Sequence, residues 1–518
     1  MPLIDRLPPE LEDAGALLKR RDKAKERKDL WHSTYRDCYR YAMPQRETFT
    51  WTAEGQVKEN TLYDSTLQET TYTAANTLCA LLFPGWTKWA ELAPGAGIDK
   101  RKITPEIRVA LEDATDTFFD FLNHSNFPQV INETALDLMA GTGGLTFDEG
   151  DNDNPFVFTS IPLSIIEIEE GPNGKIETTY MLRKPLGRNL LRMYAGMEPF
   201  DLPQELMDCI TEKPDQEIEI VQGEVYHPET KNYYGVVISV KHKAILWRYN
   251  FGTSCPTIIA RATKLSGELY GRGRVMLALS DAKTLDKMQE FVLRHAALQI
   301  GGVFTGVSDG VLNPYTAVLA PGSIIPVASN ETGNPSLRPL EVGGNFQITE
   351  ALMTDLRQRV RRTMLGPEPT EGAVRSATEV SVNDRNRLWA MNGELGRIQA
   401  ELLAKIVARG VFILQSKGLI PKFKVDGREV AVKYTSPFAR SQEAEDALAV
   451  LNTLNGLAIL GPEITGLGLK VEDLPGYLGM KYGMKTEHIR TAEEREEKMQ
   501  QVTAAAQQTG MMPQEGAA

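Results

Sequence analysis

Two glycine-rich stretches in this 518-residue sequence, Ala140-Gly141-Thr142-Gly143-Gly144 and Tyr270-Gly271-Arg272-Gly273-Arg274, have the composition of a phosphate cradle. Such a cradle converges backbone N–H groups and a Lys on the same oxygens. That takes the spacing GxxxxGK[ST], or GxGxxG between a strand and a helix for a dinucleotide. Neither stretch has either spacing, so both read as turns and no nucleotide-driven motor is expected. The oxygen-rich run Asp148-Glu149-Gly150-Asp151-Asn152-Asp153-Asn154-Pro155 has side chains suited to calcium, but Pro155 interrupts it and no Glu closes it, which leaves a polar turn. The six His show no HExxH pattern. The four Cys (Cys38, Cys79, Cys209 and Cys255) lie far apart with no CxxC or Cys/His spacing, so neither a zinc site nor a disulfide framework is indicated and reduced thiols are expected. The chain is expected not to be an enzyme, with no catalytic residue, metal or cofactor.

The remaining chemistry belongs to cations. Lys and Arg displace counterions from phosphates, and about 6 to 10 such contacts already make binding strongly salt dependent. The candidates are Arg375, with Glu371 beside it, in GPEPTEGAVRSATEV (366–380), and Lys283, Lys287, Arg357 and Arg361 in the helical patterns before it. A net charge of −12 and a pI of 5.3 exclude a large basic surface that wraps DNA, but not a protein that DNA passes through. The basic run KRRDKAKERK (19–28) reads as a solvated helix face.

These residues need elements to hold them. With 42% hydrophobic and 24% charged residues the composition is that of a folded protein, and the length suggests two or more packed units. Residues 10–145 are helical in pattern, with Trp31, Tyr35 and Tyr39 at i, i+4, i+8 forming a core stripe that Pro44 closes. Residues 155–262 are rich in β-branched residues and read as strands. A helix is expected over 268–300, with Leu285, Met288, Val292 and His295 on one side, and another over 346–365. Between them 301–345 read as short strands and turns. After the breaker-rich stretch 366–378, Ser376 and Glu379 make a capping box. It starts a long helix in which Leu388, Met391, Leu395, Ile398, Leu402 and Ile406 keep a 3–4 spacing, with a bend expected near Asn392, Gly393 and Gly396. A strand pair with an Asp426-Gly427 turn and an acidic helical end follow. No apolar run reaches the ~18 residues of a membrane span, and the start has no secretion signal. Helices this long cannot hide their stripes in a thin hairpin, so Leu395, Leu402, Met288 and Val292 are expected at a subunit interface.

The order helix, glycine-rich excursion, helix, polar loop, long helix leaves the excursion protruding as a tip. With SNFPQVINETALDLMAGTGGLTFDE, ELYGRGRVMLALSDAKTLDKMQEFV, GPEPTEGAVRSATEV and GRIQAELLAKIVARGVFILQSKGLIP in that order, the sequence resembles the portal (head-to-tail connector) proteins of short-tailed, T7-like bacteriophages, the podovirus portal family. The resemblance implies an α+β, mainly helical portal fold. Its parts would be a wing (1–267), two stem helices (268–300 and 346–365), a small α/β clip (301–345), a tunnel loop (366–378), a long helix and strands of the wing (379–440), and a helical crown with the C-terminal tail (441–518). It further implies a ring, usually of twelve subunits, at one capsid vertex, through which double-stranded DNA is packaged and ejected. The partners implied are terminase and then a tail adaptor at the clip, with scaffold, major capsid and internal core proteins around the ring. The place implied is the head-tail junction of the virion, after assembly in the host cytoplasm, with no membrane contact. The competing reading is another virion component, an adaptor, tail or capsid protein without a DNA channel.

Overall fold

A computed structural model describes residues 8–50, 56–58, 62–85, 88–93, 105–194, 199–301, 304–306, 329, 337–339, 346–366, 393–421, 424–425, 428–429, 431–434, 447–456, 474–481, 490, 494–495, 498 and 501. The chain is α+β. The first unit comprises α1 (Ala14–Ala42), α2 (Thr66–Leu82), β1 (Ala90–Ala93), α3 (Pro105–His124), α4 (Phe127–Ala140), β2 (Thr142–Glu149) and β3 (Phe156–Ile161). The Trp31, Tyr35, Tyr39 stripe of α1 faces the main core, where Tyr35 and Tyr39 are buried. An aromatic cluster of Trp89, Phe118, Phe127, Phe147, Phe156 and Phe158 fills the space between the helices and a sheet of order β3-β2-β9, with β9 at Thr257–Arg261. The open edge at β3 is closed by Asn126, whose side-chain amide donates to Phe158 O (2.8 Å) and whose side-chain oxygen accepts from Phe158 N (3.0 Å).

The five-stranded antiparallel sheet runs β4 (Ile166–Glu170), β5 (Ile176–Arg183), β6 (Ile220–His227), β7 (Asn232–Ser239), β8 (Ala244–Gly252) in chain order. Both its faces are covered. Leu17 and Ala24 of α1 pack on Tyr180, Val221 and Val236; Leu190 of α5 (Gly187–Met193) and Ile210 of α6 (Gln204–Glu212) pack on Trp247 and Tyr249. Neighbours Ile220 and Val221 are therefore both buried. Helices α5 and α6 lie in a stretch read as strands; seven and nine residues are too few for their periodicity to stand out.

The basic run of α1 is exposed at Lys19, Arg20, Asp22, Lys23, Lys25, Glu26 and Arg27, as a solvated face would be, but not all round. Its buried positions Leu17, Arg21, Ala24 and Lys28 lie on one side, so two cations face the sheet edge at β4. Arg21 donates to both carboxylate oxygens of Glu167 (2.6 and 2.8 Å), Arg20 to Glu169 (2.8 Å), and Lys28 to the Ser164 carbonyl. Burial pushes the Lys28 ammonium down to about 8, against the pull of Glu167. From there up to the ordinary lysine range, the unfolded chain keeps a proton that the folded one has released, so stability rises with pH through that window. Lys28→Met lacks this term. Between about pH 7.5 and 10, wild type is expected to gain about 2 kcal/mol on the variant in urea unfolding.

Helix α7 (Arg274–Gly301) leads out to an antiparallel pair, β10 (Phe304–Gly306) with β11 (Leu337–Pro339), and α8 (Phe346–Leu365) leads back. Residues 367–392, with Glu371, Arg375 and the Ser376–Glu379 capping box, lie outside the described residues. The long helix is described from 393, passes through a π turn at Gln399–Leu403 and continues as α9 (Ala404–Ser416). Gly393 and Gly396 stand open to space; the irregularity lies at the π turn, for which the residue pattern carries no signal. β12 (Lys424–Val425) pairs with β13 (Arg428–Glu429), whereas β14 (Ala431–Tyr434) pairs with distant β1. Beyond them stand a helical stretch at 447–456 and α10 (Leu474–Lys481).

Candidate assembly and nucleic-acid interface

The two glycine-rich stretches meet where α4 ends and α7 begins. A Cβ on Gly271 would stand 2.2 Å from Gly141 O, one on Gly273 2.1 Å from Met139 O, and one on Gly141, at φ +141°, 2.2 Å from Gly271 O. Two backbones cross here at a separation only hydrogen allows. Thr142 Oγ1 accepts from Gly271 N (2.9 Å), Tyr35 OH donates to Gly271 O (2.7 Å), and Ala262 N donates to Gly141 O (2.8 Å). The glycines thus root α7 in the main core.

Two buried arginines extend that root to the long helix. Arg261, with its side chain fully buried, donates to Glu401 (2.6 Å), Glu170 (2.5 Å) and the carbonyls of Leu269 (3.2 Å) and Gly174 (2.9 Å). Arg274 donates from Nε to Glu394 (3.0 Å) and from Nη1 to Met364 O (2.9 Å). Sequence reading missed both arginines, because their partners lie far away in the chain and no local spacing joins them.

Farther out, α7 and α8 hold each other through Leu285, Met353 and Leu356, with Met288 and Val292 half-buried beside them. Other apolar side chains of α7 face outward: Leu277, Phe291 and Leu298 are 68%, 57% and 50% exposed, Leu293 and Ile300 48% and 88%. At about 100° per residue the first three line one flank of the face that meets α8, and the last two line the opposite flank. Leu352 of α8 is exposed as well. Of the residues expected at a subunit interface, only Leu402 is fully buried within the chain; Leu395, Met288 and Val292 stay partly exposed. Leu402 is buried in the chain's own main core and Leu395 packs against it, while Met288 and Val292 face α8 of the same chain. The flanks of α7 are the more exposed surface.

Most of the cations singled out in the two helices are paired within the chain. Lys283 donates to Asp37 of α1 (2.5 Å) and lies over the Tyr41 ring. Arg357 donates to Asp64 (2.9 and 3.1 Å), while Asp286 accepts from the N–H groups of Tyr63 (2.6 Å) and Asp64 (3.1 Å). Residues 63 and 64 are thereby clasped between α7 and α8. Lys287 and Arg294 share Glu290, and the Lys287 hydrogen bond holds that carboxyl below its usual range. Arg361 is exposed. The acids Asp37, Asp64 and Asp286 were invisible to a search for basic residues.

The oxygen-rich turn after β2 is closed from within. Lys417 Nζ donates to Gly150 O (2.8 Å) and Asn152 Oδ1 (3.3 Å) and stands 3.6 Å from Glu149. A lysine of the chain takes oxygens that a cation would use. Among the described residues no group of three or more His, Cys, Asp or Glu is placed to hold a metal, and no helix is long and apolar enough to cross a membrane.

The family described as bacteriophage head to tail connecting protein matches residues 14–487. No curated protein matches the sequence. Among solved structures, a chain in the neck of an empty gene transfer agent (GTA) particle computed with C6 symmetry is similar at 11% identity, over 74% of this chain and 90% of that one, with a TM-score of 0.33. A chain in the virion of a native GTA particle is similar at 10% identity, over 80% and 93%, with a TM-score of 0.33.

Proposed function

The chain belongs to the bacteriophage head-to-tail connecting protein family, and on that premise we propose that it forms the ring at the head-tail junction through which double-stranded DNA enters and leaves the capsid. The family is a structural one. The observation that carries the ring is the pair of exposed apolar flanks on α7, Leu277/Phe291/Leu298 and Leu293/Ile300. A twofold dimer buries the same patch on both partners. Two different edges on opposite flanks suit a head-to-tail contact, repeated until it closes. In this reading residues 1–267 with 379–440 form the wing, α7 and α8 are the stem, 301–345 the clip that receives terminase and then the tail adaptor, 366–378 the tunnel loop and 441–518 the crown. Twelve copies close the ring; scaffold, major capsid and internal core proteins surround it.

DNA contact in this reading is light. Lys283, Lys287 and Arg357 already have carboxylate partners, which leaves Arg361 and Arg375, the latter with Glu371 nearby in sequence, as the phosphate-facing cations; one per subunit, multiplied around a ring, is ample. In assembled rings Arg375→Glu is expected to reduce retention of packaged DNA several-fold and Arg375→Ala to reduce it less, with ring formation intact in both. Retention at the wild-type level in both variants would contradict the DNA-contact reading.

A further inference from the structure

We propose that the five-stranded sheet carries a second contact between copies of this chain: the outward face of α1, on one side of the sheet, docks on the outward face of α6 of the next copy. Helix α1 turns Leu17, Arg21, Ala24 and Lys28 inward. At about 100° per residue Lys19, Lys23, Arg27 and Leu30 lie on the opposite side, in an arc of about 100° that includes one acid, Glu26. All are exposed, Leu30 at 81%. None of the three cations forms an ion pair with a described residue of the chain. Helix α6 covers the other face of the same sheet with Leu206 and Ile210 inward. Its outward arc holds Glu205, Asp208 and Glu212, all exposed, and the helix contains no cation. Asp208 accepts from the side chain of Gln204 (2.9 Å), Glu205 stands 3.6 Å from His242 Nδ1, and Glu212 has no partner among the described residues.

The occupant is a second copy because this chain supplies both halves of the contact. Lys19–Arg27 and α6 each span nine residues, about 13 Å. They lie on opposite faces of one sheet, so they cannot meet within a chain, and a patch that pairs with a different patch makes a head-to-tail contact. A chain with a net charge of −12 repels its copies unless unlike charges are brought face to face. Exposed ion pairs are weak singly, so this contact orients one copy on the next while the apolar flanks of α7 supply the cohesion. Nucleic acid would engage α1 alone and leave α6 without a partner. The contact rests on the ring reading in that copies associate head to tail; it needs neither closure nor DNA.

Charge exchange on the full chain tests it, read by sedimentation velocity at low salt. Lys19→Glu with Lys23→Glu, and separately Asp208→Lys with Glu212→Lys, are each expected to raise the concentration needed for half-assembly at least about tenfold, with circular dichroism unchanged. The chain carrying all four changes, in which the signs are exchanged, is expected to assemble as wild type does, and so is an equal mixture of the two double variants. Wild-type assembly in either double variant overturns the proposal, as does failure of the fourfold variant to recover. Loss of binding to a short DNA duplex in the α1 variant, with assembly intact, overturns it in favour of nucleic acid. Should a double variant not fold, Lys19→Gln with Lys23→Gln and Asp208→Asn with Glu212→Gln carry the test: the salt dependence of assembly is expected to flatten in both, and an unchanged dependence in either overturns the proposal. Rings that ignore the reversals would remove this contact and leave the ring reading standing; charge-dependent dimers or filaments that never close would do the opposite.

Discussion

Gly273→Ala is expected to prevent the chain from folding. The added methyl would stand 2.1 Å from Met139 O and 2.6 Å from both Ala140 C and Gly141 N, and all three are backbone atoms that no rotamer change can move aside. Separating them means lifting α7 from the end of α4 and breaking the bonds of Gly271 to Tyr35 and Thr142, all inside the main core. A loss on the order of 4 kcal/mol or more is expected, beyond the ordinary range for one substitution. Gly85→Ala, whose Cβ would meet nothing within 4 Å, is the control and should stay within about 0.5 kcal/mol of wild type. Urea unfolding followed by far-UV circular dichroism reads both. A cooperative transition in Gly273→Ala at the wild-type midpoint would contradict the crossing.

The second large effect is on assembly. Phe291→Asp combined with Leu298→Asp puts two carboxylates on one flank of α7, where both native side chains are at least half exposed in the single chain. The chain itself should fold as before, because neither side chain belongs to a buried cluster. Ring contacts should be lost completely, since the charges would have to be buried unpaired between subunits. Leu402→Asp is expected to behave in the opposite way. Its carboxylate would enter the main core and unfold the chain before assembly is reached. Sedimentation velocity with circular dichroism on the same samples separates the two outcomes; rings of wild-type size from the Phe291/Leu298 double variant would refute the flank assignment.

Local periodicity made much of the frame legible. The Trp31, Tyr35, Tyr39 stripe, the helices that became α7 and α8 and most strands of the five-stranded sheet follow from spacing alone, because the face each must bury repeats every 3.6 or 2 residues. What joins those elements was not legible. The glycines of 140–144 and 270–274 serve each other, so neither stretch can be understood by itself. Arg21 with Glu167, Arg357 with Asp64 and Lys417 with the turn after β2 are pairings between distant residues, and no local spacing announces them. Leu402 was misplaced for a related reason: a helical stripe reveals which face is buried but not against what. Arg375, the residue expected to meet DNA most directly, and Glu371 lie outside the described residues.

Electron microscopy of the purified full-length chain in negative stain tests the central claim most directly. Closed rings with a central hole, all of one size, are expected, lost together in the Phe291/Leu298 double variant. Particles that remain folded monomers, twofold dimers or open filaments at micromolar concentration would contradict it.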